Sequence, residues 1–121
     1  MKIIYVAGQY TGDGYSGVES NIWKAKQASL KLYQKGWAVF TPHMNMAHLE
    51  EWEHFLGFNI NNWLEIDFTF LEVAHALFMM KNYEQSAGVK KEIAHAKTLK
   101  KPIFFETDGY PKPTDIKSIG G

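Results

Sequence analysis

Two acidic residues and one short cap sequence carry the chemistry that this chain suggests. Ser86 and Gly88 precede a helical pattern that runs to Leu99, and Glu92 lies one turn into that pattern. Ser86 is a good N-cap residue, and the free amides of a first helical turn favour an anion or a sugar hydroxyl. Helical side chains tilt towards the N-terminus, so the Glu92 carboxylate is aimed back at this turn.

Glu92 and Asp67 both fall at apolar stripes of their helical patterns. Glu92 borders the stripe that includes Val89 and Ile93, and Asp67 follows Leu64 by three positions. Paired carboxylates in apolar surroundings can divide the roles of general acid and nucleophile between them. Two plainer interpretations stay open: Glu92 as a surface residue paired with a lysine, and Asp67 as a backbone cap or an ion-pair partner.

The elements that would position these residues alternate between strands and helices. Four short apolar runs predict strands, at residues 3–7, 37–40, 76–80 and 103–105. Three helical patterns lie between them, at residues 18–35, 59–73 and 86–99. Nearly continuous apolar strands are typical of a parallel sheet covered by helices on both faces. We therefore predict a single-domain α/β protein, a flavodoxin-like or Rossmann-like three-layer sandwich with a sheet of four to five parallel strands.

Three loops follow predicted strands and should meet at the carboxyl edge of this sheet, where ligands of such sheets bind. They are the glycine-rich segment 8–17, the loop at His43 and the turn 86–92. Segment 8–17 matches neither the Walker loop nor the dinucleotide fingerprint, and we interpret it as a mobile polar loop. The convergence of these loops predicts one ligand site at this edge.

Residues 43–58 form the least regular part of the pattern and contain three histidines beside several glutamates. Their spacing does not suit the helical His-x3-His pair of common zinc sites, so we predict no metal. We interpret the segment as a mobile flap whose aromatic residues cover a ligand or a partner subunit. Trp52 and Trp63 are candidates for that contact, although core packing or ligand stacking would use the same residues.

Composition limits the class of protein. The 121 residues are 45% hydrophobic with a formal net charge of +0, which predicts one soluble domain and no nucleic-acid partner. The chain has no cysteine and no arginine, which excludes a thiol nucleophile and bidentate guanidinium binding of an anion. No apolar run has membrane-spanning length, and Lys2 is followed at once by a strand pattern rather than a signal peptide. We predict a cytoplasmic protein with no membrane contact.

Four short pieces of the sequence, taken in order, carry a family resemblance. They are Ile4-Tyr5-Val6-Ala7-Gly8, Thr41-Pro42-His43, Trp63-Leu64-Glu65-Ile66-Asp67 and Ser86-x-Gly88-x3-Glu92. Together they resemble the nucleoside 2-deoxyribosyltransferase-like superfamily, closest to its short bacterial and phage members and related to the 2′-deoxynucleoside 5′-phosphate N-hydrolases. The resemblance implies a domain over residues 1–106 and a C-terminal tail over residues 107–121.

The resemblance also implies an activity and its residues. It implies cleavage of the N-glycosidic bond of a nucleoside or nucleoside 5′-monophosphate, by hydrolysis or deoxyribosyl transfer, without metal or cofactor. Glu92 would be the nucleophile on the anomeric carbon, Tyr5 would orient its carboxylate, and Asp67 would assist protonation of the leaving base. The implied substrate-binding residues are Gly8, Gln9, His43, Ser86 and Gly88. Relatives are dimers or higher oligomers, so a homo-oligomer is expected.

Some positions depart from the pattern of the superfamily. Ser86 stands where transferases of free nucleosides tend to have an acidic residue, and it tolerates a phosphate that an aspartate would repel. The monophosphate enzymes also use arginine, which this chain lacks, so Lys90 or Lys91 would have to substitute for it. Gln9 stands where relatives often have Pro or Ser, and His75 where the short members often have Asp. A non-catalytic nucleotide-binding sensor or accessory protein with the same pocket remains the alternative hypothesis.

Overall fold

The computed structural model describes residues 1–11, 14–57 and 63–116. The strands are β1 (Ile3–Ala7), β2 (Ala38–Phe40), β3 (Ala76–Met79) and β4 (Ile103–Phe105). The helices are α1 (Gly14–Gln34), α2 (Pro42–Asn45), α3 (Leu49–Leu56), α4 (Trp63–Val73) and α5 (Ala87–Thr98). Short 3-10 turns lie at Tyr83–Gln85, Glu106–Asp108 and Pro113–Asp115. The predicted strands therefore agree with the structure to within one residue.

The four strands form one parallel sheet in the order β2-β1-β3-β4. The central strand β1 places Tyr5 beside Phe40 of β2 on one side and Leu77 of β3 on the other. The central strands β1 and β3 are buried on both faces, whereas the edge strands β2 and β4 are half-buried, which explains why the strand sequences are almost entirely apolar. The predicted α/β class, with a four-stranded parallel sheet in a three-layer Rossmann-like or flavodoxin-like sandwich, is confirmed.

Two apolar layers lie on opposite faces of the sheet, because successive side chains of a strand point to opposite sides. The first layer contains the α1 residues Ala25 and Leu32 and the β1 residues Ile4 and Val6. The second layer, beneath α4 and α5, includes the following buried residues: Tyr5, Ala7, Leu71, Leu77, Met79 and Val89. The side chain of Tyr5 therefore lies in the layer that α4 and α5 cover.

Two predicted segments are corrected. Helix α1 begins at Gly14 rather than at residue 18, because its first turn adds little to the apolar stripe. The described part of segment 43–58, residues 43–57, is mainly helical rather than irregular. Pro42 opens α2 with the fixed φ that suits a first helical position, and Gly57 ends α3 in the left-handed region. No residue of α3 is buried, so its apolar residues Leu49, Trp52 and Leu56, although at helical spacing, do not pack on the core. The predicted helix start at residue 59 lies outside the described residues.

Residues 107–116 of the predicted tail pack on the α1 layer of the same chain. The Trp37 indole donates a hydrogen bond to the Pro111 carbonyl at 2.8 Å, and the Tyr110 ring stacks on Phe78 with 5.4 Å between centroids. Ile116 also packs against this layer. None of the helices within the described ranges has the length and apolar character that crossing a membrane requires.

Candidate active site

Helix α5 places Glu92 against the sheet. The helix begins as predicted: the Ser86 hydroxyl accepts a hydrogen bond from the Val89 amide at 3.2 Å, which satisfies one amide of the first turn. Val89, Glu92 and Ala96 follow one another along the buried face of α5, and the Glu92 side chain is only 7% exposed. Glu92 is therefore not a surface residue, which removes the plainer interpretation of it.

Tyr5 supplies a phenol to the same site from the middle of β1. Burial raises the pKa of Tyr5 far above its ordinary value, and the nearby charges of Glu92 and Asp67 raise it further. The phenol therefore stays protonated and remains a hydrogen-bond donor. The Tyr5 hydroxyl and Glu92 Oε2 are both buried, and neither has a hydrogen-bond partner among the described residues. The pair is close enough to interact but does not complete a hydrogen bond in this structure.

The two carboxyl groups of the site have raised pKa values. Burial raises the pKa of Glu92 to about 7; the Tyr5 hydroxyl opposes this rise, and the charge of Asp67 adds to it. Burial likewise raises the pKa of Asp67 to about 6, and Asp67 Oδ1 is a buried oxygen without a hydrogen-bond partner in the described structure. Helices α4 and α5 and strand β1 thus bring together the three residues predicted as catalytic.

The contact between α4 and α5 lies next to these acids. The Phe68 ring, which follows Asp67, stacks on the His95 ring with 4.2 Å between centroids and 9° between planes. His95 lies three residues after Glu92, on the neighbouring turn of α5, and its Nε2 is 3.4 Å from a Glu72 carboxylate oxygen. This contact fixes the separation of the two helices one turn away from the carboxyl groups.

The two predicted binding glycines differ in what surrounds them. A Cβ at Gly8 would lie 2.7 Å from Met80 Sδ and 3.0 Å from Asn82 Oδ1, so packing within the chain already explains this glycine. A Cβ at Gly88 would have Ser86 Oγ, at 3.8 Å, as its nearest neighbour. Of these two glycines, Gly88 is the one with open space beside it, and that space lies at the start of α5.

Gln9 and His43, both predicted to bind substrate, contact each other. His43 is 3% exposed, its Nε2 lies 2.9 Å from the Gln9 carbonyl oxygen, and burial lowers its pKa. A neutral ring that donates from Nε2 leaves Nδ1 as an acceptor, and this buried atom has no hydrogen-bond partner in the described ranges. The carboxyl ends of β1 and β2 are thereby joined.

Two asparagines that the sequence analysis missed also hold this loop. Asn82 Oδ1 accepts a hydrogen bond from the Gln9 amide at 3.1 Å, and Asn21 Nδ2 donates to the carbonyls of Tyr10 and Thr11 at 3.0 and 3.2 Å. These bonds do not fit the mobile loop predicted for segment 8–17. A lone asparagine belongs to no motif, although the sheet-edge rule points to Asn82 because it follows β3.

Helix α3 contacts the loop through polar groups. The Tyr10 hydroxyl accepts from the His48 amide at 2.8 Å and donates to Glu50 Oε1 at 3.0 Å. The His48 ring contacts the Glu19 carboxylate, which raises the pKa of His48. The part of the chain that the structure describes contains no group of three or more His, Asp or Glu residues placed to hold a metal ion.

His75 lies away from this site. Its Nδ1 accepts a hydrogen bond from the Ile3 amide at 2.9 Å, at the amino edge of the sheet where β1 and β3 begin. The departure from the superfamily pattern at this position therefore does not affect the carboxyl edge.

Comparison with known families gives a match over most of the chain. Residues 2–105 match the model of a domain of unknown function, DUF4406, and this range contains all four strands and every predicted site residue. No curated protein matches the chain. The description of the matching family names no activity, so the resemblance to nucleoside 2-deoxyribosyltransferases stays a prediction.

Proposed function

Because the chain belongs to the DUF4406 family, a domain of unknown function, we propose its activity from its own site: cleavage of the N-glycosidic bond of a nucleoside or nucleoside 5′-monophosphate. The observation that carries this proposal is the placement of a buried carboxyl group, Glu92, and a half-buried one, Asp67, from separate helices beside one protonated phenol. Buried carboxyl groups destabilise a fold unless they have a partner or a function, and pairs with raised pKa values are characteristic of acid–base sites.

In the proposed reaction, the Glu92 carboxylate attacks the anomeric carbon of the sugar. The C–O bond to Glu92 forms as the C–N bond breaks, and the base leaves with that electron pair and takes a proton from Asp67. Water then attacks the anomeric carbon and gives a proton to the Asp67 carboxylate, the C–O bond to Glu92 breaks and both acids return to their starting state; a second base that attacks in the same way gives transfer. The positive charge that develops on the sugar is stabilised by the Glu92 carboxylate throughout, so no step needs a cofactor.

The raised pKa values fit a site that holds one proton between its two acids. With values of about 7 for Glu92 and about 6 for Asp67, the singly protonated pair is most populated between them, and in the free protein its proton lies mainly on Glu92, the group with the higher pKa. The reaction needs that proton on Asp67 and a carboxylate at Glu92. The Tyr5 hydroxyl favours this arrangement, because it lowers the pKa of Glu92. A cationic sugar next to Glu92 lowers that pKa further as the transition state is approached.

The start of α5 is suited to the 5′ end of the substrate. Ser86 caps this helix, and the open space at Gly88 lets a ligand approach the amides of the first turn. Lys90 and Lys91 are exposed on the same helix and can reach an anion there. The helix dipole and these lysines favour a 5′-monophosphate, which the chain would bind without arginine.

We further propose that the protein forms a homodimer or higher oligomer in the cytoplasm, with a small nucleoside or nucleotide as its ligand. Helix α3 supports this proposal: it buries no residue and exposes Trp52 (58%), Phe55 (79%) and Leu56 (59%). Exposed aromatic clusters of this kind are typical of subunit contacts. Trp63, the other tryptophan considered for such a contact, is half-buried at the start of α4.

The test is incubation with a pool of nucleosides and nucleoside 5′-monophosphates, with liberated bases measured by chromatography. We expect base release by the wild type and its loss in Glu92→Gln, which keeps the shape of the side chain but removes the nucleophile. Glu84→Gln, at an exposed glutamate close to the same helix, is the matched control. Equal activity in Glu92→Gln would refute the assignment, and nucleotide binding without any base release would favour the sensor hypothesis.

A further inference from the structure

Backbone groups of residues 9–11 are hydrogen-bonded to side chains from three other parts of the chain. Asn82, after β3, accepts from the Gln9 amide, and His43, on α2, bonds to the Gln9 carbonyl. Asn21, on α1 and 6% exposed, donates to the next two carbonyls of the segment. Backbone groups of surface loops usually form hydrogen bonds to water. Here they are bound by side chains from three other parts of the chain, and these hydrogen bonds define one backbone conformation.

Gly8 is part of this arrangement. A side chain at residue 8 would overlap Met80 Sδ and would crowd Asn82 Oδ1, the atom that accepts from Gln9. The glycine therefore lets the Asn82 side chain lie directly over the end of β1. Asn82 Nδ2 is buried and has no hydrogen-bond partner in the described residues, so the only hydrogen bond recorded for this side chain is the one to Gln9.

We propose that Asn82, together with His43 and Asn21, positions segment 9–11 in the single conformation that binds ligand at the carboxyl edge of the sheet. Asn82 acts through the Gln9 amide and does not touch the reacting atoms, so it is a positioning residue. The ligand-binding part of this inference rests on the proposed function, whereas the positioning itself does not. Loss of Asn82 should weaken binding and leave the bond-breaking step almost unchanged, because the two carboxyl groups lie on α4 and α5.

Three variants test this inference. Asn82→Ala removes the acceptor for the Gln9 amide. Asn82→Asp keeps an acceptor at the same position and removes no hydrogen bond seen between the described residues, because Asn82 Nδ2 makes none with them. Asn45→Ala is the matched control, since Asn45 is an exposed asparagine on α2 at the same edge of the sheet.

The first measurement is amide hydrogen exchange at Gln9 by NMR, which needs no substrate. We expect exchange to become about tenfold faster in Asn82→Ala, in keeping with the loss of one part-buried hydrogen bond. Exchange in Asn82→Asp and Asn45→Ala should stay within about twofold of the wild type. Unchanged Gln9 exchange in Asn82→Ala would overturn the positioning role, whether or not the protein releases bases.

The second measurement is the kinetics of base release. We expect KM to rise about tenfold in Asn82→Ala with kcat within about twofold, and Asn82→Asp to restore KM. A fall in kcat with unchanged KM, or a failure of Asn82→Asp to restore KM, would contradict the proposal. If the wild type releases no base, the proposed function fails, and the exchange experiment still decides the positioning role.

Discussion

The stability of the protein should depend on whether Glu92 is ionised. Its pKa is raised from an ordinary value of 4.5 to about 7, so the folded state binds the proton more tightly than the unfolded state. Stability contributed by this proton is complete at low pH and is lost as the pH rises from the unfolded pKa to the folded one. By linkage, the penalty for holding Glu92 in the folded protein is about 1 kcal/mol at about pH 5 and about 3 kcal/mol at about pH 8.

The substitution Glu92→Gln removes the charge and keeps the size of the side chain. We therefore expect the variant to become more stable relative to the wild type as the pH rises, with a gain of roughly 2 kcal/mol between about pH 5 and about pH 8. Urea denaturation of both proteins across this range measures the difference, because the midpoint shifts while the slope is unchanged. The exposed Glu84→Gln serves as the control for the substitution itself.

A difference between the two proteins that stays constant or shrinks with rising pH would refute the reasoning. So would a Glu92→Gln variant that is less stable than the wild type at high pH, since that result would mean that the carboxylate has a favourable partner in the fold. We expect Glu92→Gln to be more stable than the wild type and to release no base. This combination is typical of active-site residues that destabilise the fold.

Three further predictions follow from the site. The pH profile of kcat/KM should be bell-shaped with its maximum between about pH 6 and about pH 7, because below this range both site carboxyl groups are protonated and above it both are ionised. Tyr5→Phe should raise the pKa of Glu92, because the hydroxyl lowers that pKa, and the alkaline limb, which reports the higher of the two pKa values, should shift upward; an unmoved alkaline limb would argue against their contact. Gly8→Ala should lower the free energy of unfolding by about 1–3 kcal/mol in urea denaturation, because its Cβ overlaps Met80. Gly88→Ala should leave that free energy unchanged or raise it by up to about 1 kcal/mol, and should still weaken nucleotide binding in calorimetry.

The fold could be predicted because strands and helix faces that pack on the core are apolar, in runs or at helical spacing. β4 coincides with its apolar run, and Ser86 caps α5 as a serine before a helical pattern should. Helix α3 was missed although Leu49, Trp52 and Leu56 recur at helical spacing, because eight residues with an unburied apolar stripe give a weaker signal than a helix that packs on the core. Its position depends on polar contacts of Tyr10 and His48, and hydrogen bonds between distant residues have no period in the sequence.

The convergence of the site residues could be predicted, but not how the site is held together. Asp67 and Glu92 each border an apolar stripe, which predicts that both face the sheet, and ligands of such sheets bind beyond the carboxyl ends of the strands. In the structure the two carboxyl groups are close enough for the charge of Asp67 to raise the pKa of Glu92. The roles of Asn21 and Asn82 depend on long-range contacts to the backbone of residues 9–11. A single polar residue outside a motif is compatible with many environments, so only the structure distinguishes these asparagines from exposed ones.

The buried polar atoms explain why this edge of the sheet is the place to look for a ligand. Atoms without a hydrogen-bond partner among the described residues include Tyr5 OH, His43 Nδ1, Asp67 Oδ1, Asn82 Nδ2 and Glu92 Oε2. Each unsatisfied group costs about 1–3 kcal/mol, and a small domain has only about 5–15 kcal/mol of net stability. The set includes both donors and acceptors, as a polar ligand with hydroxyl and ring-nitrogen groups would require. A ligand that forms hydrogen bonds to even some of these atoms would stabilise the fold on binding. The catalytic and the substrate-binding residues were predicted separately, so nucleotide binding at this edge of the sheet tests both predictions.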